Sequence, residues 1–386
     1  MHAAGFSRSQ IASIAAAISC VAAVGIGLSL SIPLLSLEMQ RMGVSNGLIG
    51  INTAVAGIAS IIVVPFVPRM ARRYGLMPLL WCTVPVVPVT MILFRIIHDF
   101  AAWFPLRFLF SAALGALFVL SEYWITISAP AARRGLVMGI YATVLAAGLA
   151  VGPLILAVVG SEGWPPYLAG AFLFALAAVP LSLARGLSPS IESGSGPRLL
   201  SLVRAAPIAT LAALVFGVIE TSAYALLPIY GIERGLSHAE AALLLSAVAL
   251  GNVGLQIPIG ILADRFDRRL ILLACSLCSA IGAVLMPLFA DMAGLMILMF
   301  VWGGLTGALY TIGLAHLGSR FAGPALVSAN AAFVLLYNVG LTAGPPIVGL
   351  GMDLLPPHGF AFALSACGAV YAALILFRLR AASVGS

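Results

Sequence analysis

Residues 239–290 read AEAALLLSAVALGNVGLQIPIGILADRFDRRLILLACSLCSAIGAVLMPLFA. Apart from Glu240, every charge in this stretch falls between Asp264 and Arg269. An α-helix rises 1.5 Å per residue, so about 20 mostly apolar residues cross a hydrocarbon core of roughly 30 Å. The stretch therefore reads as two membrane-spanning helices, 239–262 and 270–290, joined by a short charged turn. Its apolar runs are continuous, which excludes an outer-membrane barrel, whose strands alternate at every second residue.

Outward from this hairpin the pattern repeats. Runs of the same kind occupy 11–37, 46–67, 77–96, 103–127, 136–159, 167–184, 207–230, 294–317, 325–349 and 360–377, so twelve spans are expected. The first is too long for a signal-peptide core, and no small-residue cleavage site stands at Leu37–Met39. Composition agrees: 62% of residues are hydrophobic and 8% charged, against about 25% charged in soluble domains. The net charge of +7 does not indicate a nucleic-acid face, because all 19 basic residues are Arg and nearly all sit in gaps between apolar runs.

Those arginines orient the chain. Fifteen lie in one alternate set of gaps, and only Arg41, Arg95 and Arg234 lie in the other, with Arg107 inside a span. Positive loops stay in the cytoplasm, which predicts cytoplasmic N- and C-termini. The longest gap is rich in Ser, Gly and Pro and reads as a flexible linker, giving six-helix bundles at 1–184 and 207–386 with a linker at 185–206.

A constant offset of 192 relates the halves. It carries Gly25 to Gly217, Ala71 to Ala263, Arg73 to Arg265, Gly115-Ala116-Leu117 to Gly307-Ala308-Leu309, Gly148 to Gly340 and Gly152-Pro153 to Gly344-Pro345. Six spans separate the copies, so they run in the same direction. The expected fold is an all-α membrane protein of twelve transmembrane helices in two parallel repeats.

The loop Gly260-Ile-Leu-Ala-Asp264-Arg265-Phe-Asp267-Arg268-Arg269 resembles the cytoplasmic signature of major facilitator transporters, with Asp267 in place of the later Gly. Its N-terminal counterpart keeps Arg73 and Gly75 but has Pro68 and Arg72 for the Gly and Asp. The resemblance implies a conformational latch made of Gly260, Asp264, Arg265, Arg268, Arg269, Arg72 and Arg73, with Asp264 accepting from a helix N-terminus or an arginine; a salt-bridge cluster that only stabilises the fold is the alternative. In helix 5, Gly139, Gly148, Gly152 and Pro153 match most of the family's antiporter signature. Helix 11 repeats much of it, so close packing explains the same residues. Arg107 and Gly115 resemble part of the family's helix-4 motif. The overall pattern looks most like poorly characterised bacterial permeases of this superfamily.

Ionisable groups inside spans are costly, about 2.5–3.5 kcal/mol each on insertion scales, and need a partner, a cavity or a function. Glu220 lies near the middle of helix 7, close to Tyr224, where the offset places Leu28 in the other copy. A carboxyl in a central cavity can exchange a proton with either side as access alternates; a carboxyl bonded to a backbone carbonyl is the plainer alternative. Glu122 is expected either in the cavity or in the latch. Arg107 is expected either at the site or reaching along its helix to the interface. Asn338 and Tyr337 fall mid-helix in helix 11, and Tyr141 and Tyr310 are further aromatic candidates. His316 reads as a packing residue.

Cys275 and Cys278 lie in one helix with no second ligand cluster, so no metal site follows. The chain has no phosphate-binding loop and no Lys, which argues against ATP-driven transport. The reading is a non-enzymatic secondary transporter, a monomer in the lipid bilayer without a cofactor, exchanging a small-molecule substrate against protons for export. Proton-coupled uptake and passive facilitation are the alternatives, followed by a membrane enzyme or receptor.

Overall fold

The computed structural model describes residues 8–128, 134–183, 206–321 and 323–384. The predicted linker, except Ala206, lies outside them together with Arg133, Arg185, Arg198 and Arg204, as do the side chains of Arg8 and Arg134. Among the described residues, twelve helices are long and apolar enough to cross a membrane: α1 (Gln10–Arg41), α2 (Asn46–Tyr74), α3 (Leu76–Ile96), α4 (Trp103–Ile125), α5 (Leu136–Val159), α6 (Pro165–Ser182), α7 (Pro207–Glu233), α8 (His238–Arg265), α9 (Arg268–Leu288), α10 (Met292–Arg320), α11 (Ala329–Leu354) and α12 (Gly359–Arg380). Most outrun the predicted apolar spans by a few residues. Helical hydrogen bonding continues past the hydrocarbon boundary until a cap or a turn stops it.

Several ends show what does the stopping. Ser237 and Glu240 form a reciprocal capping box at the start of α8, and the Asp291 carboxylate accepts from the Gly294 N–H at the start of α10. Gly75, with φ at 89°, ends α2 in a conformation that a side chain would disfavour.

The chain divides into two compact units, Met1–Leu35 with Ile58–Gly194 and Ser36–Gly57 with Ser195–Ser386. The end of α1 and the start of α2, Ser36–Gly57, thus belong to the second unit. Within the first, α1 meets α5 where a Cβ on Gly25 would lie 2.8 Å from the Leu145 carbonyl oxygen and one on Gly148 would lie 3.1 Å from the Ile26 nitrogen. The Ser29 hydroxyl donates to the Gly148 carbonyl at 3.0 Å across the same contact.

The second unit repeats that contact at the offset of 192. Cβ atoms on Gly217 and Gly340 would collide with the carbonyl oxygens of Tyr337 and Leu214, and one on Gly344 with that of Val218. Lipid tails are as apolar as Leu, so helices in a bilayer associate through close packing at small residues and through hydrogen bonds. Glycine pairs at α1–α5 and again at α7–α11 supply that approach in both copies. Hydrogen bonds join other helices of the second unit: Trp302 Nε1 to the Ser279 carbonyl, Ser276 Oγ to the Gly368 carbonyl and the Tyr371 hydroxyl to the Ile208 carbonyl.

Candidate functional site

The candidate site grows out of the α7–α11 contact. Phe216, Glu220 and Tyr224 recur every four residues and so share one stripe of α7; Phe333 and Tyr337 do the same on α11. The glycines at this seam let the two backbones approach until Glu220 stands opposite Tyr337. The Tyr337 hydroxyl donates to Glu220 Oε2 at 2.5 Å, so the partner found for the carboxyl is a side-chain hydroxyl and not the backbone carbonyl of the plainer reading.

Aromatic rings surround that bond. Phe216 stacks on Tyr337 with centroids 5.9 Å apart and planes 16° apart, and Tyr310 from α10 meets Phe216, Tyr337 and Phe333 at 5.4, 5.4 and 5.0 Å. Tyr224 and Tyr310 lie within electrostatic reach of the Glu220–Tyr337 pair. Phe216 and Phe333 are buried, whereas Glu220, Tyr224, Tyr310 and Tyr337 are half-buried. The arrangement can hold an ionisable carboxyl against a wall of rings while leaving it partly accessible. In the first copy the offset places Val24, Leu28, Ile32, Phe118 and Leu145 where the second has Phe216, Glu220, Tyr224, Tyr310 and Tyr337. The fold needs none of these polar groups, and only one copy carries them.

The other expected site residues are placed elsewhere. Asn338 turns its amide back to the Val334 carbonyl on its own helix at 2.8 Å. Glu122 is exposed on α4, with Tyr141 of α5 within electrostatic reach. The interface-reaching alternative for Arg107 is corrected: its guanidinium-bearing side chain is 1% exposed, with the fully buried Tyr167 of α6 within electrostatic reach. The reason is local packing, since edge-on contacts of Phe94 with Trp103 and Phe110, and of Phe110 with Phe174, close α3, α4 and α6 around that level of α4.

At the α8–α9 turn the structure redistributes the parts of the signature loop. Asp264 is highly exposed and pairs with Arg268 at 3.5 Å. The helix N-terminus is capped instead by Asp267, whose carboxylate accepts from the Arg269 N–H at 2.8 Å and from its guanidinium at 2.7 Å. These bonds hold the Asp267 carboxyl below its ordinary value. Of the two partners expected for Asp264 the structure supplies the arginine, and the residue that replaces the motif's later Gly caps the helix. Arg268 also donates to the Ala315 carbonyl on α10 at 2.9 Å, while Arg265, Arg72 and Arg73 are exposed, with Arg73 lying over the Tyr74 ring. A Cβ on Gly260 would have nothing within 4 Å, and neither would one on Gly139, so in this structure neither glycine is needed for a close approach. His316 is buried among Asp267, Arg268, Arg269 and Arg320.

One contact escaped the sequence reading. Asp353, at the end of α11, accepts from the backbone N–H groups of Asn46 and Gly47 at 2.9 and 2.8 Å, and Glu233 of α7 accepts from the Asn46 side chain at 3.2 Å. The available signal was that α2 has no acid in its first turn, which leaves amides for another chain segment to satisfy.

This fold, with a polar cluster midway along helices from one of two parallel repeats, is the architecture of a secondary transporter. A family model for the Major Facilitator Superfamily matches residues 17–254 and 209–385. The chain belongs to that superfamily. It is 22% identical over 359 residues to the uncharacterized MFS-type transporter YfkF of Bacillus subtilis, covering 91% of this chain and 92% of YfkF. It is 25% identical over 281 residues to the uncharacterized MFS-type transporter YcaD of Escherichia coli, covering 72% of each. Solved structures share the fold: a bacterial homolog of the human lysosomal transporter Spinster (TM-score 0.78, 13% identity, 97% and 98% of the two chains) and a D-xylose–proton symporter (TM-score 0.71, 15% identity, 95% and 96%).

Proposed function

We propose that this protein is a proton-coupled secondary transporter that exports a small molecule by alternating access, and that Glu220 carries the coupling proton. The observation behind this reading is the Tyr337–Glu220 hydrogen bond within the half-buried aromatic cluster. A carboxyl there takes up a proton when access opens to one side and yields it when substrate binds from the other. If substrate prefers the ionised form, the factor by which its affinity rises on ionisation equals the factor by which it weakens proton binding. Export by antiport is supported by the helix-5 residues Gly139, Gly148, Gly152 and Pro153, and cytoplasmic termini in the inner membrane by the arginine distribution. The protein acts as a monomer in the bilayer, and the residues proposed for the cytoplasmic latch are Gly260, Asp264, Arg265, Arg268, Arg269, Arg72 and Arg73.

The test is reconstitution of the purified protein in liposomes with substrates selected by a thermal-shift screen. An imposed pH gradient should drive accumulation or efflux, and Glu220→Gln should abolish that driven component while exchange at equal pH survives. Gradient-driven transport undiminished in Glu220→Gln would refute the assignment. Accumulation with proton flow in the same direction as substrate would replace antiport with symport.

A further inference from the structure

The same cluster carries a statement about what is transported. We infer that Glu220 and the rings of Tyr310 and Tyr337, backed by Phe216, recognise a monovalent organic cation with an apolar body. This rests on the assignment of Glu220 to the transport site.

The first reason is charge. An ionised carboxyl away from bulk water needs a compensating partner. From their own helices, α7, α10 and α11 offer no Arg or Lys except Arg320 at the last residue of α10. Arg234, just beyond α7, is committed to the carbonyls of Met286 and Phe289 at 2.8 and 2.6 Å. The bond supplied to Glu220 by the cluster is the Tyr337 hydroxyl, a neutral donor that leaves the negative charge uncompensated. The second reason is the wall. Ring faces carry negative potential, and a cation seated on them gains attraction that a neutral or anionic ligand does not. Tyr310 and Tyr337 are half-buried and touch each other, with the Tyr337 hydroxyl on the carboxyl and the buried Phe216 stacked behind Tyr337, so one ligand can meet both. An organic anion would be repelled there. A neutral sugar would find a carboxyl and tyrosine hydroxyls but no amide and no basic group among them.

Three near-isosteric probes separate these possibilities: methyltriphenylphosphonium, triphenylphosphine oxide and methyltriphenylborate, titrated calorimetrically into the full-length protein in detergent at pH 8. The cation should bind about tenfold more tightly than the neutral oxide, with no saturable binding of the anion. Glu220→Gln should erase the preference for cation over oxide. Phe216→Leu and Tyr310→Leu, which keep apolar bulk and the carboxyl, should each weaken the cation several-fold, and they carry the test if Glu220→Gln fails to fold. Oxide or borate binding as tightly as the cation, cation affinity unchanged in the variants, or no cation binding up to millimolar concentration would overturn the inference. These outcomes are independent of proton coupling: a protein that couples protons through Glu220 to a neutral substrate refutes the cation class alone, and one that binds the cation without coupling refutes the proposed function alone.

Discussion

Asp353 accepts the backbone N–H groups of both Asn46 and Gly47, at 2.9 and 2.8 Å, so a carboxylate at the end of α11 serves as the cap of α2. The first N–H groups of a helix have no partner within it, and a negative charge also complements the positive end of the helix dipole. Gly47 adjoins Asp353 and Leu350 closely, and a Cβ on Gly50 would collide with the Pro345 carbonyl. The cap therefore sits at the end of a backbone-to-backbone seam.

Removing that cap should be felt locally. Asp353→Ala is expected to cost about 1 kcal/mol, the usual worth of a capping side chain. Hydrogen exchange of the Asn46 and Gly47 amides should speed up by roughly the corresponding five- to tenfold. Unchanged exchange at these two amides would show that the cap does not persist in solution.

The glycines of the signature motifs should separate into two groups by stability. Gly340→Val forces a side chain into the Leu214 carbonyl and is expected to destabilise by about 1–3 kcal/mol or more, as overpacking does. Gly260→Ala and Gly139→Ala meet open space inside helices and should stabilise by up to about 1 kcal/mol, the advantage of Ala over Gly in a helix interior. Thermal melts of the three variants in one detergent decide the matter, and a Gly340→Val protein that melts with the wild type would contradict the α7–α11 seam.

Tyr337→Phe keeps the ring stack on Phe216 and removes only the hydroxyl that donates to Glu220. A hydrogen bond to a charged acceptor contributes about 1.5–3 kcal/mol. In a double-mutant cycle with Glu220→Gln, the two changes should therefore couple by at least about 1 kcal/mol in unfolding free energy. Strict additivity would mean the two side chains do not meet.

The α9 cap should respond to pH with a defined sign. Bonds from the Arg269 guanidinium and N–H hold the Asp267 carboxyl below its ordinary value. Its folded-state pKa is thus depressed, and the stabilisation is present above the unfolded value of about 3.9 and is lost as pH falls through the folded one. Wild type should melt above Asp267→Asn at pH 7, and the gap should shrink as pH is lowered below about 4. A gap that is constant or widens with acid would show that the shift is absent.

Much of this protein was legible in single residues and their spacing. The continuous apolar runs located all twelve helices, because a bilayer admits backbone only when its hydrogen bonds close within the segment. Glu220, Tyr224, Tyr310 and Tyr337 stood out because polar groups at mid-span are expensive. The charged loop at 264–269 was just as visible, yet its internal roles were not. Which aspartate caps α9 depends on where the helix begins: it starts at Arg268, so the adjacent Asp267 is the cap, and Asp264, three positions earlier, pairs with Arg268 instead.

By itself the sequence determined class, span number and the duplicated architecture, since these follow from apolar length and from a repeat period, both one-dimensional quantities. Tertiary structure alone decided partners. It turned Asn338 back on its own helix, buried Arg107 against α6, set Tyr337 on Glu220 and brought Asp353 to the amides of a helix some three hundred positions earlier. The physical reason is that composition dictates whether a helix enters a bilayer, whereas the face it presents there is chosen by close packing at a few small residues, Gly217, Gly340 and Gly344 among them, whose effect exists only once two helices meet.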